Sequence, residues 1–463
     1  MPFPSPSPFP RPVRPALAMM MERRRREQAE LSRTNTFVSL DAVSTVFNAL
    51  AEILWRKSAW KEFPRKKVEG SKRPGGAGSS DISIRDVDVI LGPCHGRGLP
   101  WKELALPGPV QVVNYLQGLR SITLKADLAA LLRRRMEEHP NEEPFTPLTY
   151  IIYPRRTPSR SPLAVGRRAS GNSARVATRK GDERQDFLWE AELRDRQEID
   201  NVWAVKTSSG SKGNGVTVVE GGMEVIMHID ELYTGSQQPV AVQKYVQDPL
   251  LVCGFKFDMR IWVVVDVELG VYQWNEGVLR VAAHPYSEDL EDTFSHLTNH
   301  CIAQQSDNYE CLIEGNEIFF DEFRTYLAQH VPDLSLDRDI LPQMRHQVYC
   351  TVESVWANLR ANNRPGGFQL LGFDFMIDSS HRVWLIEVNG APAAAARLTQ
   401  PLAQDILSLC LYPRFPWQQP SASAPTHNFS LIAPAEELDR AVGIEPYSCR
   451  GERLSPSTRV PRS

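Results

Sequence analysis

Two acidic, strand-like segments carry the chemistry most legible in this chain: Leu371-Gly-Phe-Asp-Phe-Met-Ile377 and Val383-Trp-Leu-Ile-Glu-Val-Asn-Gly390. Side chains alternate faces along a strand. Leu385, Glu387 and Asn389 are therefore expected on one face and Trp384, Ile386 and Val388 on the other, while Asp374 projects opposite to Phe373 and Phe375. A carboxylate inside an apolar strand is costly unless something neutralises it. Two carboxylates and an amide oxygen on one surface make a hard-oxygen site suited to Mg2+, an ion that typically also holds nucleotide phosphates. The competing reading is structural: one Asp and one Glu paired with basic side chains.

Cations upstream favour the metal. The strand Asn201-Val-Trp-Ala-Val-Lys206 opens into Thr207-Ser-Ser-Gly-Ser-Lys-Gly-Asn-Gly215 and re-enters a strand at Val216. Glycines at 210, 213 and 215 let the backbone turn tightly and bring N–H groups against an anion. The loop has neither the Walker A spacing nor the order of a dinucleotide fingerprint. A strand–loop–strand hairpin with Lys206 at its root reads as a lid over phosphates, with Gly213 and Gly215 close to them. In Pro239-Val-Ala-Val-Gln-Lys-Tyr-Val246 the backbone of Gln243, Lys244, Tyr245 and Val246 is placed to meet an adenine edge, with Tyr245 or Val246 against the ring. In Phe255-Lys-Phe-Asp-Met-Arg-Ile-Trp-Val-Val-Val265, Lys256, Asp258 and Arg260 share one face and Phe257, Met259 and Ile261 the other. The apolar continuation predicts a central strand, with its three charges facing a polar cleft. Arg280 closes Glu276-Gly-Val-Leu-Arg280. His296-Leu-Thr-Asn-His300 fits no zinc spacing and reads as a structured loop beside the site.

The elements that must position these residues are laid out unevenly. Residues 1–36 read as a disordered Pro/Arg-rich arm, with little to bury. Residues 37–125 form an N-terminal domain, in which Val43, Phe47, Leu50 and Leu54 predict a helix up to Trp55 and Val87–Leu91 a strand. Val110–Leu119 is expected to be helical, as is Lys125–Met136. Residues 126–246 form a central subdomain with a strand at Thr149–Tyr153. Its loop 154–184 carries nine Lys/Arg against two acids and reads as a flexible insertion, with a cationic lip for an acidic partner as the functional alternative. Residues 247–415 form a C-terminal subdomain. Residues 416–463 read as a flexible, largely unpacked tail with one short helix around Glu436–Val442.

Bulk properties exclude several classes. With 463 residues, the chain can bury more than one core. A net charge of −3 gives no global steering, so recognition of charged partners must be local. Seven cysteines, none in a CxxC pair, argue against a disulfide framework. No apolar run is long enough for a membrane span, Ile261–Val265 being the best candidate. No aromatic-interleaved basic stretch suggests nucleic acid.

A lysine on a Gly-loop hairpin, Lys/Asp/Arg on one strand, then Asp and Glu-x-Asn on two more: this order resembles the ATP-grasp fold, an α/β (α+β) architecture with a small N-terminal domain and two subdomains enclosing a nucleotide. Within it, the chain resembles the tubulin tyrosine ligase family. The matching segments are Lys206–Gly215, Gln243–Tyr245, Lys256–Arg260, Glu276–Arg280, His296–Ile302, Glu314–Phe320, Phe368–Met376 and Trp384–Ala393. Resemblance covers about residues 85–415 and is sparse before 200. His-Leu-Thr-Asn-His-Cys-Ile and Glu-Val-Asn-Gly-Ala-Pro are similar to the tyrosine-adding branch. Around residues 118–124 this chain has Ser121 and Leu124 where that branch has basic residues.

The resemblance implies an ATP- and Mg2+-dependent ligase adding tyrosine to the C-terminal glutamate of detyrosinated α-tubulin through an acyl phosphate. It implies phosphate contacts from Lys206, Lys256 and Lys125, nucleotide contacts from Gln243–Val246 and Asp258, a metal held by Asp374, Glu387 and Asn389, and a catalytic role for Arg260, Arg280 and Glu387. The expected partners are the α-tubulin tail or αβ-tubulin dimer and free tyrosine, with neither nucleic acid nor membrane. The chain is expected to be monomeric, cytoplasmic and cytoskeleton-associated. The alternatives are a tubulin glutamylase or glycylase, or an inactive tubulin-binding module.

Overall fold

The computed structural model describes residues 34–40, 44–63, 84–93, 99, 101–104, 111–155, 181–208, 215–362, 366–415 and 426–444. The expected arm up to residue 33, most of the basic loop and residues 209–214, Gly213 among them, lie outside the described residues.

Three sheets order the described residues. The first runs β2-β1-β3-β4, all parallel: β1 Asn35–Ser39, β2 Trp60–Glu62, β3 Val89–Leu91 and β4 Val112–Val113. Helix α1 (Thr45–Trp55) links β1 to β2 and is capped by Ser44, whose hydroxyl accepts from the Phe47 N–H at 3.2 Å. Its stripe Val46, Phe47, Leu50, Leu54 is buried. Each such side chain contributes about 1.5–3 kcal/mol when fully removed from water. The expected arm is corrected at its end, since Asn35 and Thr36 already belong to β1. So is the helix expected over Val110–Leu119. Val112–Val113 instead pair with β3, Val113 bridges to Gly367, and the only helical turn nearby among the described residues is Arg120–Thr123. Helix α2 (Lys125–Glu138) follows.

The second sheet, antiparallel, runs β5-β8-β6-β7: β5 Thr149–Ile152, β6 Val202–Thr207, β7 Val216–Glu220 and β8 Val240–Lys244. Helices α3 (Arg184–Arg196) and α4 (Gly222–Leu232) cover one face, burying Phe187, Trp203, Val205, Val225, Ile229 and Val242 together.

The third sheet is built on two long strands, β10 (Phe255–Val265) and β11 (Val271–Val281), which follow the short β9 (Leu251–Val252). With β12 (Glu317–Phe319), β13 (Gln369–Ile377) and β14 (Val383–Asn389) its order is β12-β11-β10-β13-β14. Helices α5 (Phe320–His330) and α6 (Leu341–Asn362) pack on one face, against Phe257, Met259, Ile261, Phe373 and Phe375. On the other face the alternation changes character along β10. Lys256, Asp258 and Arg260 give way to Trp262 and Val264, which are buried beneath α1 and α7 (Ala396–Ile406).

The tail holds the short helix expected near Glu436–Val442, but over residues 426–444 it is packed, contrary to expectation. Strand β15 (Phe429–Ala433) pairs with β11, and α8 (Ala435–Ala441) packs on α6. Asp439 accepts from Trp356 Nε1 at 2.9 Å and from Arg360 Nε and Nη2 at 2.8 and 2.9 Å. Partners more than 75 residues away hold the segment, which no local period reveals.

Candidate active site

A cleft opens between the second and third sheets. Lys206, Thr207, Val216, Val218, Gln243, Tyr245 and Val246 line one wall. Lys256, Asp258, Arg280, Asp374, Ile386 and Glu387 line the other, with Lys125 and the loop from His296 to Asn299 at the ends.

Strand register assembles the charged floor. Asp258 on β10 faces Arg280 on β11, Arg260 on β10 faces Asp374 on β13, and Asp374 faces Glu387 on β14. Arg280 donates from Nε and Nη2 to Asp258 at 2.7 and 2.6 Å, and from Nη2 to Asp374 Oδ2 at 2.9 Å. Arg260 donates from Nε and Nη2 to Asp374 at 2.7 and 2.6 Å. These are bidentate, charge-assisted pairs. Burial works against the Arg280 charge, but Asp258 and Asp374 outweigh it and hold the guanidinium firmly protonated. Thr298 Oγ1 donates to Asp258 Oδ2 at 2.7 Å. Sequence reasoning misses Thr298, and the His-Leu-Thr-Asn segment around it is the signal available.

On β14 the expected alternation is corrected. The register slips by one residue between Asp374↔Glu387 and Phe375↔Leu385, leaving Ile386 as a bulge. Leu385 therefore joins Val383 and Val388 in the core, while Ile386 and Glu387 line the cleft. The bulge lets Glu387 stand beside Asp374 without placing Leu385 in the cleft. Asn389 Nδ2 donates to Asp374 Oδ2 at 3.0 Å and to Glu387 Oε1 at 3.1 Å, so all three proposed metal ligands converge. Gly372 permits this crowding: a Cβ there would sit 2.7 Å from Pro392 Cβ and 3.4 Å from Arg260 Nε. Among the described residues no group of three His, Cys, Asp or Glu side chains forms a metal cluster. Two carboxylates and an amide whose oxygen and nitrogen are alike in shape nonetheless fit a hard divalent cation. Asp374 would then divide its oxygens between that cation and the arginines.

Lys125 Nζ lies 3.0 Å from Glu387 Oε2. Burial alone would raise the Glu387 carboxyl, but the Lys125 and Lys206 ammoniums hold it well below the usual carboxylate range, so it is ionised. Lys206 and Lys256 are different. Lys206 Nζ donates to Gln243 Oε1 at 2.6 Å, and Gln243 Nε2 donates in turn to Thr149 Oγ1 at 3.3 Å. Lys256, fully buried, donates to the Tyr245 hydroxyl. Burial pulls Lys206 down to about 8 and Lys256 down to about 7, with Glu387 and Asp258 respectively opposing the fall. The Lys244 ammonium is committed to the Val202 carbonyl at 3.1 Å and to Gln247 Oε1 at 3.0 Å, although the residue borders the cleft. Gly215, at φ 74°, closes the hairpin from the β7 side and packs against Thr207.

Two lysines with neutral partners share the cleft with carboxylates and arginines on antiparallel strands, a set that fits an anionic, phosphate-like ligand, in a mixed α/β frame consistent with the ATP-grasp kind. The chain matches the family described as "Tubulin-tyrosine ligase family" over residues 103–423, and it belongs to that family. Among curated relatives it is 29% identical over 225 residues to Tubulin glycylase 3C of Tetrahymena thermophila, covering 46% of this chain and 20% of that protein. It is 26% identical over 301 residues to Tubulin polyglutamylase TTLL13 of Mus musculus, covering 61% and 32%. It is 29% identical over 296 residues to Probable tubulin polyglutamylase TTLL2 of Mus musculus, covering 62% and 47%. The chain thus spans less than half the length of these relatives. They are named for glycine and glutamate addition, so the expectation of tyrosine addition, with free tyrosine as partner, lacks their support. Among the described residues no helix is long and apolar enough to cross a membrane.

Proposed function

We propose that the cleft is the site of an ATP-dependent ligase that joins an amino acid, glycine or glutamate, to a glutamate carboxyl of tubulin. One observation carries the reading: two buried lysines whose hydrogen bonds go to neutral oxygens share a single cleft with Asp374 and Glu387, both of which accept from Asn389. Lys206 and Lys256 would take nucleotide phosphates, exchanging an amide and a phenol for anionic oxygens. The segment Gln243–Val246 would present backbone groups to the base. Asp374, Glu387 and Asn389 would hold Mg2+, which supplies charge neutralisation at the phosphoryl oxygens.

The reaction needs alignment more than a protein nucleophile. An acceptor carboxylate oxygen attacks the terminal phosphorus and the bond to the departing ADP breaks. The donor's amine then attacks the resulting acyl carbon, an amide forms and inorganic phosphate leaves. Arg260 and Arg280 present planar donors to the carboxylate and phosphoryl oxygens throughout, and their ties to Asp374 and Asp258 keep them aimed. The acidic tail of tubulin would be the acceptor, by analogy with the activities the relatives are named for; cytoskeletal association would follow from that substrate. The competing reading of an inactive binding module is disfavoured by the ionised Glu387.

Purified chain incubated with tubulin, Mg-ATP and, separately, labelled glycine, glutamate or tyrosine is expected to place glycine or glutamate label on tubulin tail peptides identified by mass spectrometry. Label from tyrosine alone would overturn the proposed donor. No label from any donor, with nucleotide binding intact, would overturn the ligase reading.

A further inference from the structure

Lys256 sits in an aromatic box. Its Nζ is 3.9 Å from the Tyr245 ring centroid and 5.8 Å from that of Tyr286. The His296 ring meets both tyrosines edge-on, at centroid distances of 5.7 and 5.5 Å. His296 closes a short helical turn, Thr293–His296, in place of the expected loop; it is buried, and nothing in the proposed reaction uses it.

The hydrogen bonds around it fix their own polarity. His296 Nε2 lies 2.9 Å from the Asp289 carbonyl oxygen, which can only accept, so Nε2 carries the ring proton. In the neutral ring Nδ1 then has only a lone pair. Tyr245 OH, 2.8 Å away, must donate to it. With its one proton so committed, the Tyr245 oxygen faces Lys256 as an acceptor, and Lys256 is the donor. Burial keeps the imidazole below its ordinary range, which favours the neutral ring. The Tyr286 hydroxyl donates to the Gln247 carbonyl, so its proton is not available to Lys256 either.

We propose that His296 is a positioning residue for Lys256: by accepting the Tyr245 proton, it forces the phenol to receive rather than give a hydrogen bond, and so keeps Lys256 an ammonium aimed at the nucleotide phosphates. Without that acceptor, Tyr245 can turn its O–H toward the amine and stabilise the neutral lysine, which has no charge to offer a phosphate. The other charged groups facing Lys256 do not substitute for His296. Lys206 on β6 disfavours its charge, while Asp258 on β10 favours it but is bonded to Arg280 and Thr298.

The inference rests on the reading of the cleft as a nucleotide site, and calorimetry with the Mg2+ complex of a non-hydrolysable ATP analogue separates the two. His296→Leu is expected to weaken binding about tenfold at pH 8, the scale of a hydrogen bond to a charged group, and to move the pH at which affinity begins to fall to a lower value. His296→Asn, whose Oδ1 replaces Nδ1, is expected to restore most of the affinity. Tyr245→Phe is expected to match His296→Leu, and the double variant to lose no more than either single one. Additive losses, or an Asn variant as weak as Leu, would overturn the positioning role while leaving the nucleotide site standing. A parent protein that binds no nucleotide would overturn both. Tyr245→Phe leaves the ring in place, so it tests the relay even if His296→Leu fails to fold.

Discussion

The paired arginines and the two buried lysines of the cleft treat charge in opposite ways. On the third sheet, Arg260 and Arg280 meet Asp258 and Asp374 through bidentate bonds, and Asn389 ties Asp374 to Glu387. Lys206, across the cleft on β6, and Lys256, near the start of β10, are bonded instead to an amide oxygen and a phenol. A buried ion pair with its lone pairs satisfied holds its geometry in the absence of ligand. A buried ammonium with a neutral partner stands at a free-energy disadvantage that an anion would relieve. The floor is therefore preorganised, and the lysine pair is where binding of an anion would change protonation and energy. Removing a group from each set should produce different kinds of failure.

The largest effect belongs to the floor. Glu387→Gln removes one charge from the proposed metal site and takes the carboxylate away from Lys125, 3.0 Å from it. Turnover in the labelled amino-acid assay is expected to fall by about 10^2–10^3, the loss typical of removing one preorganised electrostatic group, while the thermal transition stays close to the parent's. A variant with full activity would remove Glu387 from the catalytic assignment. Lys206→Met comes second. Its expected signature is weaker nucleotide binding, by about 10- to 100-fold on the scale of a charge-assisted hydrogen bond, measured by calorimetry. Equal losses of affinity in both variants would erase the distinction between the two sets.

Much of this contrast is legible in the sequence, for a physical reason. Lys256, Asp258 and Arg260 alternate with Phe257, Met259 and Ile261 on a strand that stays regular over that stretch, so a period of two places them correctly. The same rule fails on β14, where one extra residue at Ile386 sends Leu385 to the core and Glu387 to the cleft. A bulge has no local signature in Trp-Leu-Ile-Glu-Val. Val112–Val113 likewise has apolar neighbours at helical spacing, yet forms a short strand because β3 and Gly367 offer it backbone partners. The 429–441 segment is held by β11, Trp356 and Arg360, contacts that no window of sequence contains. His296 reads as part of a loop because its role depends on Tyr245, 51 residues away.

The smallest expected effect is also the one that most sharpens the contrast, because it changes sign between the free and liganded protein. In the free protein burial lowers Lys206 to about 8 and Lys256 to about 7, both below the ordinary lysine value of 10.5. Between pH 7 and 10.5 the unfolded chain therefore binds more protons at these positions than the folded one. Their contribution to stability is full above pH 10.5 and is lost as pH falls through 8 and 7. Phosphates would raise both lysines again, so binding takes up protons in the same window. Affinity is then expected to be flat below about pH 6 and to fall above about pH 8 by more than tenfold per pH unit, approaching about a hundredfold per unit as both lysines lose their protons in the free protein. Calorimetry at about pH 8 in buffers of different ionisation enthalpy should report an uptake near one proton or somewhat more, diminished in Lys206→Met. The paired lysine, Lys125, offers the internal control: as it already faces Glu387, Lys125→Met should leave the number of protons taken up nearly unchanged even where it weakens binding. Proton uptake that vanishes in the Lys125 variant and survives in the Lys206 variant would reverse the assignment of which lysine responds to the nucleotide.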